Sequence, residues 1–475
     1  MDPIKTDCGS VSGTMVGDKG QEVRIYRGIP YAAPPVGELR WKPPQPVVPW
    51  EGTRECLDFS SITPQLVGFG PTTPLEQKED CLYLNVVTPA KKATEKLPVM
   101  VFMHGGGFTG GHGNEKLFCS ARLARHGVVL VTVNMRLEAI GLLAHRLLSR
   151  ESPRLVSGNY MFLDMIASLK WVQKNIEAFG GDPGNVTIFG ESGGGAKVAV
   201  LMATPMAKGL FHRAILESVW NPPAGAMTGV SLKDMEAIGE KLFAKLGVDK
   251  EADPVAAARA LPVQKILEAN FALCREEKVL IGIWDETVDG WMLPDNPVNI
   301  LKSGKYNAVP FIAGGNLGEA TDDKSLLFLP NMIPTYVEMF KGAEETKTKA
   351  YAYIFNRAPE GRKKAGMLKA PHGMEMYYVF GDYDNTSGWW NRPIPTRPTG
   401  NTPPAPPEPT DPELNKADKK VSEAMMTMWA QFAKTGSPNA KKKGIWQAYE
   451  AASDQYLYID EKLEAKTGFS KIKKE

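Results

Sequence analysis

Long apolar runs are missing from this chain. No stretch of about 18 consecutive apolar residues occurs, so a membrane-spanning helix is not expected. Net charge is nearly absent as well: 56 Lys and Arg against 54 Asp and Glu leave +2. That balance supplies no electrostatic reason to bind nucleic acid or an anionic membrane. Cysteine is sparse and poorly spaced for metal or redox chemistry. Cys8, Cys56, Cys81, Cys119 and Cys274 are odd in number, far apart and form no C-x-x-C pair. Neither a zinc site nor a redox dithiol is expected from them, and free, mostly buried thiols are. A cleavable leader is not legible in Met1-Asp2-Pro3-Ile4-Lys5. The chain is expected in the cytoplasm if Met1 is the native start, and otherwise as a secreted or periplasmic mature form. Histidine is scarce too, with six in 475 residues, a scarcity that later narrows the search for a base.

The composition that remains is that of a soluble globular protein, 43% hydrophobic and 23% charged, with ample material for a large core. No internal repeat or domain boundary interrupts it, and residues 1–475 read as one domain. Residues 393–412 are dense in proline and lack periodicity, which reads as a surface excursion. The basic tail from Lys466 to Lys474 reads as a solvated terminus.

Apolar runs of strand length alternate with helical stripes. Pro98–Met103, Gly127–Asn134, Val186–Phe189, Ala214–Ser218 and Val309–Gly314 read as buried strands. Phe162, Ile166, Leu169, Val172 and Ile176 recur at helical spacing, and so do Val421, Met425, Met428, Trp429 and Phe432. Gly180-Gly181-Asp182-Pro183-Gly184 is expected to stop the first of these helices. The alternation predicts a large, mainly parallel α/β sheet flanked by helices, with ligands bound outside the carboxyl ends of the strands.

Two glycine-rich segments sit at such ends. Gly190-Glu191-Ser192-Gly193-Gly194 lies between the strand Val186–Phe189 and the helical run that follows Gly195. Strand, G-x-S-x-G, helix is the context of a nucleophile elbow, in which a strained serine is lifted off the sheet. His104-Gly105-Gly106-Gly107-Phe108 follows the strand Pro98–Met103. Consecutive glycines after a buried strand allow bare N–H groups to approach a ligand closely. Gly106, Gly107 and Gly193 are the expected donors to an oxyanion. A serine hydroxyl needs a base, and after an elbow the acid and then the histidine follow in chain order. Four of the six histidines precede Ser192, and His212, beside the next strand, reads as structural. His372, between Pro371 and Gly373, is left by elimination. Glu319, just past the strand Val309–Gly314, is the best-placed acid, with Asp322 and Asp323 as rivals. Asp382–Gly388 glances at a calcium loop but lacks its spacing, so no metal is expected.

The whole pattern resembles the type-B carboxylesterase family, the branch of the α/β-hydrolase fold that includes bacterial p-nitrobenzyl esterases and cholinesterases. Gly28–Ala32, Glu79–Val86, His104–Phe108, Phe179–Ser192 and Phe432–Asn439 carry the likeness, which spans nearly the whole chain. The resemblance implies a serine carboxylic-ester hydrolase with Ser192 as nucleophile, Glu319 as acid, His372 as base and no cofactor. Phe108, Trp220, Trp389 and Trp390 are expected at the substrate pocket; Trp389 and Trp390 either form a platform for aryl or bulky esters or cap hydrophobic surface. The expected partner is a small neutral ester. A non-catalytic binding or adhesion member of the same fold is the alternative, though such relatives typically lack the nucleophile that this chain keeps. The chain departs from the family pattern in five places, one of them Met135 in Asn134-Met135-Arg136-Leu137, where tyrosine is common. Gly193 replaces the usual alanine, which implies a freer turn. Glu319-Ala320 replaces Glu-Gly. Thr63-Pro64-Gln65 lacks the cysteine that would bridge to Cys81, and Cys56 is the remaining candidate, with free thiols favoured. Only 53 residues separate Glu319 from His372, which implies a shortened lid or wall at about 320–350 and an open mouth, with Met332, Tyr336 and Phe340 as the remnant of a covering helix.

Overall fold

The computed structural model describes residues 2–65, 75–219, 229–279, 282–319, 329–364, 366–387, 412–440 and 444–472. Trp220, Asp322, Asp323, Trp389, Trp390 and nearly all of the proline-rich stretch lie outside the described residues.

Eleven strands form one sheet among the described residues. In chain order they are β1 Thr14–Val16, β2 Val23–Pro30, β3 Tyr83–Thr88, β4 Leu97–Met103, β5 Val129–Val133, β6 Gly181–Glu191, β7 Arg213–Glu217, β8 Phe311–Asn316, β9 Ala350–Phe355, β10 Gln455–Ile459 and β11 Leu463–Thr467. Across the sheet the order is β1-β2-β3-β5-β4-β6-β7-β8-β9-β10-β11. Every pairing from β5 through β10 is parallel. Antiparallel pairings occur only toward the two edges. The parallel strands from β5 to β9 are buried on both faces, as parallel strands covered by helices must be.

The period-2 alternation of β4 divides the core. Val99, Val101 and Met103 point into one apolar cluster, which holds the helices α1 (Tyr160–Asn175) and α2 (Gly193–Ala203). Met100 and Phe102 point into the other, against Met425, Trp429 and Phe432. Two further helices complete the frame, α3 (Leu329–Glu345) and α4 (Lys416–Thr435). α4 is closed by a capping box between Asn415 and Asp418 and by Gly436 at φ +75°. Its predicted stripe from Val421 to Phe432 is buried in full.

Local departures from the sequence reading have physical reasons. α1 ends at Asn175, and one turn of tighter helix over Ile176–Phe179 leads to Gly180 at φ +83°. β6 begins at Gly181, so the Asp-Pro-Gly turn expected before the strand lies inside it, as a register shift opposite Leu97–Val99. Met332, Tyr336 and Phe340 do not overhang the site, because all three are buried. The Tyr336 hydroxyl donates to Gly314 O at 2.8 Å and accepts from Val219 N at 2.7 Å. Phe340 stacks on Phe311 and Tyr449. α3 is thus a core helix clamped to β7 and β8 rather than a lid. All five thiols are free, and burial pushes Cys56 up to about 11 and Cys81 up to about 12.

Candidate active site

The elbow is built by backbone crowding. β6 runs straight into Ser192, whose φ of 58° and ψ of −126° lie outside the ordinary wells of a non-glycine residue. The conformation is held from below, since Ser192 N donates to Glu217 O at 2.9 Å. The glycines around it are closely enclosed by backbone. A Cβ on Gly190 would lie 2.6 Å from the Gly194 carbonyl, and one on Gly194 would lie 2.0 Å from Met103 O. A Cβ on Gly193 would lie 2.3 Å from Gly107 O. The expectation that glycine at 193 leaves a freer turn is therefore corrected: this position is filled by the neighbouring loop.

That contact brings the two glycine motifs together. Gly106 and Gly107 have φ of 89° and 63°, conformations that favour glycine. Neither amide donates to a backbone acceptor among the described residues. The N–H of Gly193, first in α2, has no partner within its helix. Three bare amides thus border the Ser192 turn. Beneath them Lys197, fully buried on α2, donates from Nζ to His104 O at 2.9 Å and Gly107 O at 3.1 Å. Burial lowers its pKa to about 7. Phe108 closes the loop with its ring buried edge-on against Phe162, so the described side chain is part of the core.

Glu319 and His372 meet because their loops are paired. Gly318 and Pro371 form a parallel bridge, Gly318 N donates to Ala370 O at 2.9 Å, and Asn316 Nδ2 donates to Pro371 O at 2.7 Å. Across this zipper His372 Nδ1 bonds to Glu319 Oε2, while Glu319 Oε1 accepts from Asn316 N at 2.7 Å. The other ring nitrogen, Nε2, points to the elbow and lies 3.2 Å from Glu191 Oε1. It makes no hydrogen bond there, because the angle is poor, and none to Ser192. Burial pulls the His372 pKa down, but the carboxylates of Glu191 and Glu319 outweigh it and raise it to about 10.

Sequence reasoning missed the acids around this histidine. Glu191 sat inside the motif without a role; burial, eased by His372 and reinforced by Glu319, raises it to about 7. Glu375, three residues after His372, is fully buried and bonded to Ser218 Oγ and Asn316 Nδ2. Burial and the carboxyls of Glu191, Glu319 and Glu217 hold it well above the usual range. Glu217 accepts from Trp429 Nε1 at 2.7 Å and is raised by burial to about 8. The readable signal was the position of Glu375, where an acid would otherwise have no reason to lie in an apolar stretch. His212 is structural as expected, its Nδ1 accepting from Val186 N at 3.1 Å. Asp382, in the calcium-like segment, is engaged by Ser387 N and Oγ. Among the described residues no cluster of His, Cys, Asp or Glu could hold a metal ion.

A sequence profile described as "Carboxylesterase family" matches residues 2–330 and 331–474. This chain belongs to the carboxylesterase family. It is a carboxylic-ester hydrolase with the α/β-hydrolase fold, as the sequence resemblance implied. The para-nitrobenzyl esterase of Bacillus subtilis (strain 168) is 32% identical over 504 residues, covering 97% of this chain and 95% of that protein. The fumonisin B1 esterase of Sphingopyxis macrogoltabida is also 32% identical, over 92% of this chain and 84% of its own. A solved PNB esterase structure superposes with a TM-score of 0.79 at 28% identity, over 98% of this chain and 97% of the other. This carboxylesterase thus matches its bacterial relatives over almost its whole length. No helix among its described residues is long and apolar enough to cross a membrane.

Proposed function

We propose that this carboxylesterase hydrolyses small neutral esters through an acyl-enzyme on Ser192. His372 takes the Ser192 proton at Nε2, and the alkoxide attacks the ester carbonyl. The amides of Gly106, Gly107 and Gly193 receive the oxyanion, and His372 hands its proton to the departing alcohol. Water then repeats the sequence on the acyl group. Glu319 holds the Nδ1–H tautomer and stabilises the imidazolium. In this reading Nε2 exchanges its contact with Glu191 for one with Ser192 when substrate arrives, a shift that apo geometry permits. The observation that carries it is the Glu319–His372 pair, zipped by Gly318 and Pro371 and aimed at the strained serine turn.

The pocket is proposed to accept aryl or bulky esters, in keeping with a relative whose name is para-nitrobenzyl esterase. Turnover of a short-chain p-nitrophenyl ester tests the chemistry. Ser192→Ala is expected to lower kcat by roughly 10⁴-fold or more, and equal rates for variant and parent would sink the proposal. An ester panel varying acyl length and aryl bulk tests the pocket.

A further inference from the structure

Lys197 is a fully buried ionisable group that the triad leaves unused. It lies four residues after Gly193, hence on the same face of α2, and helical side chains lean toward their own N-terminus. Its stem therefore rises under the point where Gly193 and Gly107 touch. Among the described residues no carboxylate forms an ion pair with it, and burial lowers its pKa. The Phe108 ring lies 5.8 Å from Nζ. A buried amine without an ion-pair partner is an expensive way to fill a core position. Methionine has the same length and would pack there without a polar group. The observation to be explained is what this amine holds.

It holds two carbonyls of one loop. His104 O belongs to the peptide 104–105 and Gly107 O to the peptide 107–108. Between these two fixed peptides lie two others, 105–106 and 106–107. Their N–H groups are those of Gly106 and Gly107. A glycine run has no side chains of its own to restrain these planes; the first is steadied from the flank by His104 Nδ1, 2.8 Å from Gly105 O. Thr109 N and Gly110 N bond Gly106 O at 3.3 and 3.0 Å and steady the middle of the loop. Lys197 Nζ is what ties its two ends to each other and to the helix that starts at Ser192.

We propose that Lys197 is a positioning residue for ester hydrolysis, clamping the His104–Gly107 loop so that the amides of Gly106 and Gly107 stay aimed where the oxyanion forms. This rests on the oxyanion reading above. The clamp acts on the tetrahedral state, where aimed donors matter, more than on ground-state binding.

The test compares Lys197→Met and Lys197→Gln with the parent enzyme on a p-nitrophenyl ester, and measures affinity for a trifluoromethyl ketone, which forms a tetrahedral adduct. Removing one oxyanion donor costs about 10²–10³ in kcat, so a misaimed pair in Lys197→Met should cost about 10- to 100-fold, with KM within about threefold. Ketone affinity should fall by the same factor as kcat. Lys197→Gln, which can still donate to one carbonyl, should recover part of both. Parental kcat and ketone affinity in Lys197→Met would overturn the clamp, as would a loss confined to KM. A readout on the unmodified enzyme covers the case of misfolded variants: in ¹⁵N-lysine-labelled protein the protected Lys197 ammonium signal should shift when the ketone binds, and an unmoved signal overturns the proposal. Ser192→Ala separates the two readings. If it keeps parental turnover, the nucleophile reading fails; if it is inactive while Lys197→Met is unimpaired, only the clamp fails.

Discussion

At the scale of single residues, the pairing of His372 with two acids sets the pH behaviour. In the proposed mechanism His372 must be neutral before it can take the Ser192 proton, and each nearby carboxylate opposes that neutrality. Glu319 is needed to hold the ring. Glu191 is not bonded to it, yet lies 3.2 Å from Nε2 and favours the protonated form. Glu191→Gln removes that negative charge and keeps the shape. The acid limb of the kcat/KM profile should move to lower pH in this variant, by about a unit or more. A limb that stays in place, or moves up, would show that Glu191 does not act on the base. The residue identities here were open to sequence reasoning, because the scarcity of histidine left only His212 and His372 after the elbow, and His212 lies beside the next strand. The influence of Glu191 was not, since the distance between residues 191 and 372 is a property of the folded chain.

At the scale of elements, the site is the junction of one strand end, one helix start and one loop. β6 and α2 meet at Ser192 with no intervening residues, and the loop after β4 lies directly on the first residue of α2. The strands β4, β6 and β8 were legible because their apolar runs have no other use than burial in a parallel sheet. The need for glycine at 193 was misread, because the space a Cβ would occupy is taken by a segment 86 residues earlier in the sequence. Gly193→Ala should therefore push Gly107 away from the elbow, even though alanine is the family's usual residue there. We expect kcat to fall by roughly tenfold or more, with folding intact, since one amide loses its aim. Unchanged kcat would mean that the loop yields without cost. Likewise α3 was taken for the remnant of a cover. Its stripe of Met332, Tyr336 and Phe340 fits any apolar partner, and only the sheet's position decides which one it meets.

At the scale of the whole molecule, the sheet gathers buried carboxyls under its catalytic edge. Glu217 lies at the carboxyl end of β7, next to the elbow, with Trp429 of α4 reaching it from the opposite layer. Its pKa is about 8 in the fold against an ordinary value of 4.5. The folded state thus binds the proton more tightly than the unfolded chain. The stability this contributes is complete below about 4.5 and is lost as pH climbs through 8. Glu138, raised by burial to about 7, works in the same direction. Lys197, lowered to about 7, opposes them at higher pH. Glu217→Gln isolates one contribution, since the amide oxygen can still accept from Trp429. The variant's melting temperature relative to the parent should rise steadily from pH 5 to pH 8, by an amount on the order of a few kcal/mol in stability at the upper end. A difference that stays flat with pH would remove Glu217 from the account.

The sequence by itself determined the class of fold, the nucleophile motif, the glycine loop and the choice of histidine. Each of these follows from local chemistry: apolar runs must be buried, strained turns need glycine, and a serine needs a base. Only the tertiary structure decided that the loops of residues 316–319 and 370–372 are paired, that Gly107 fills the space above Gly193, and that Glu191 and Glu375 act on one imidazole. These are contacts between segments far apart in the chain, and no local pattern encodes the distance between them.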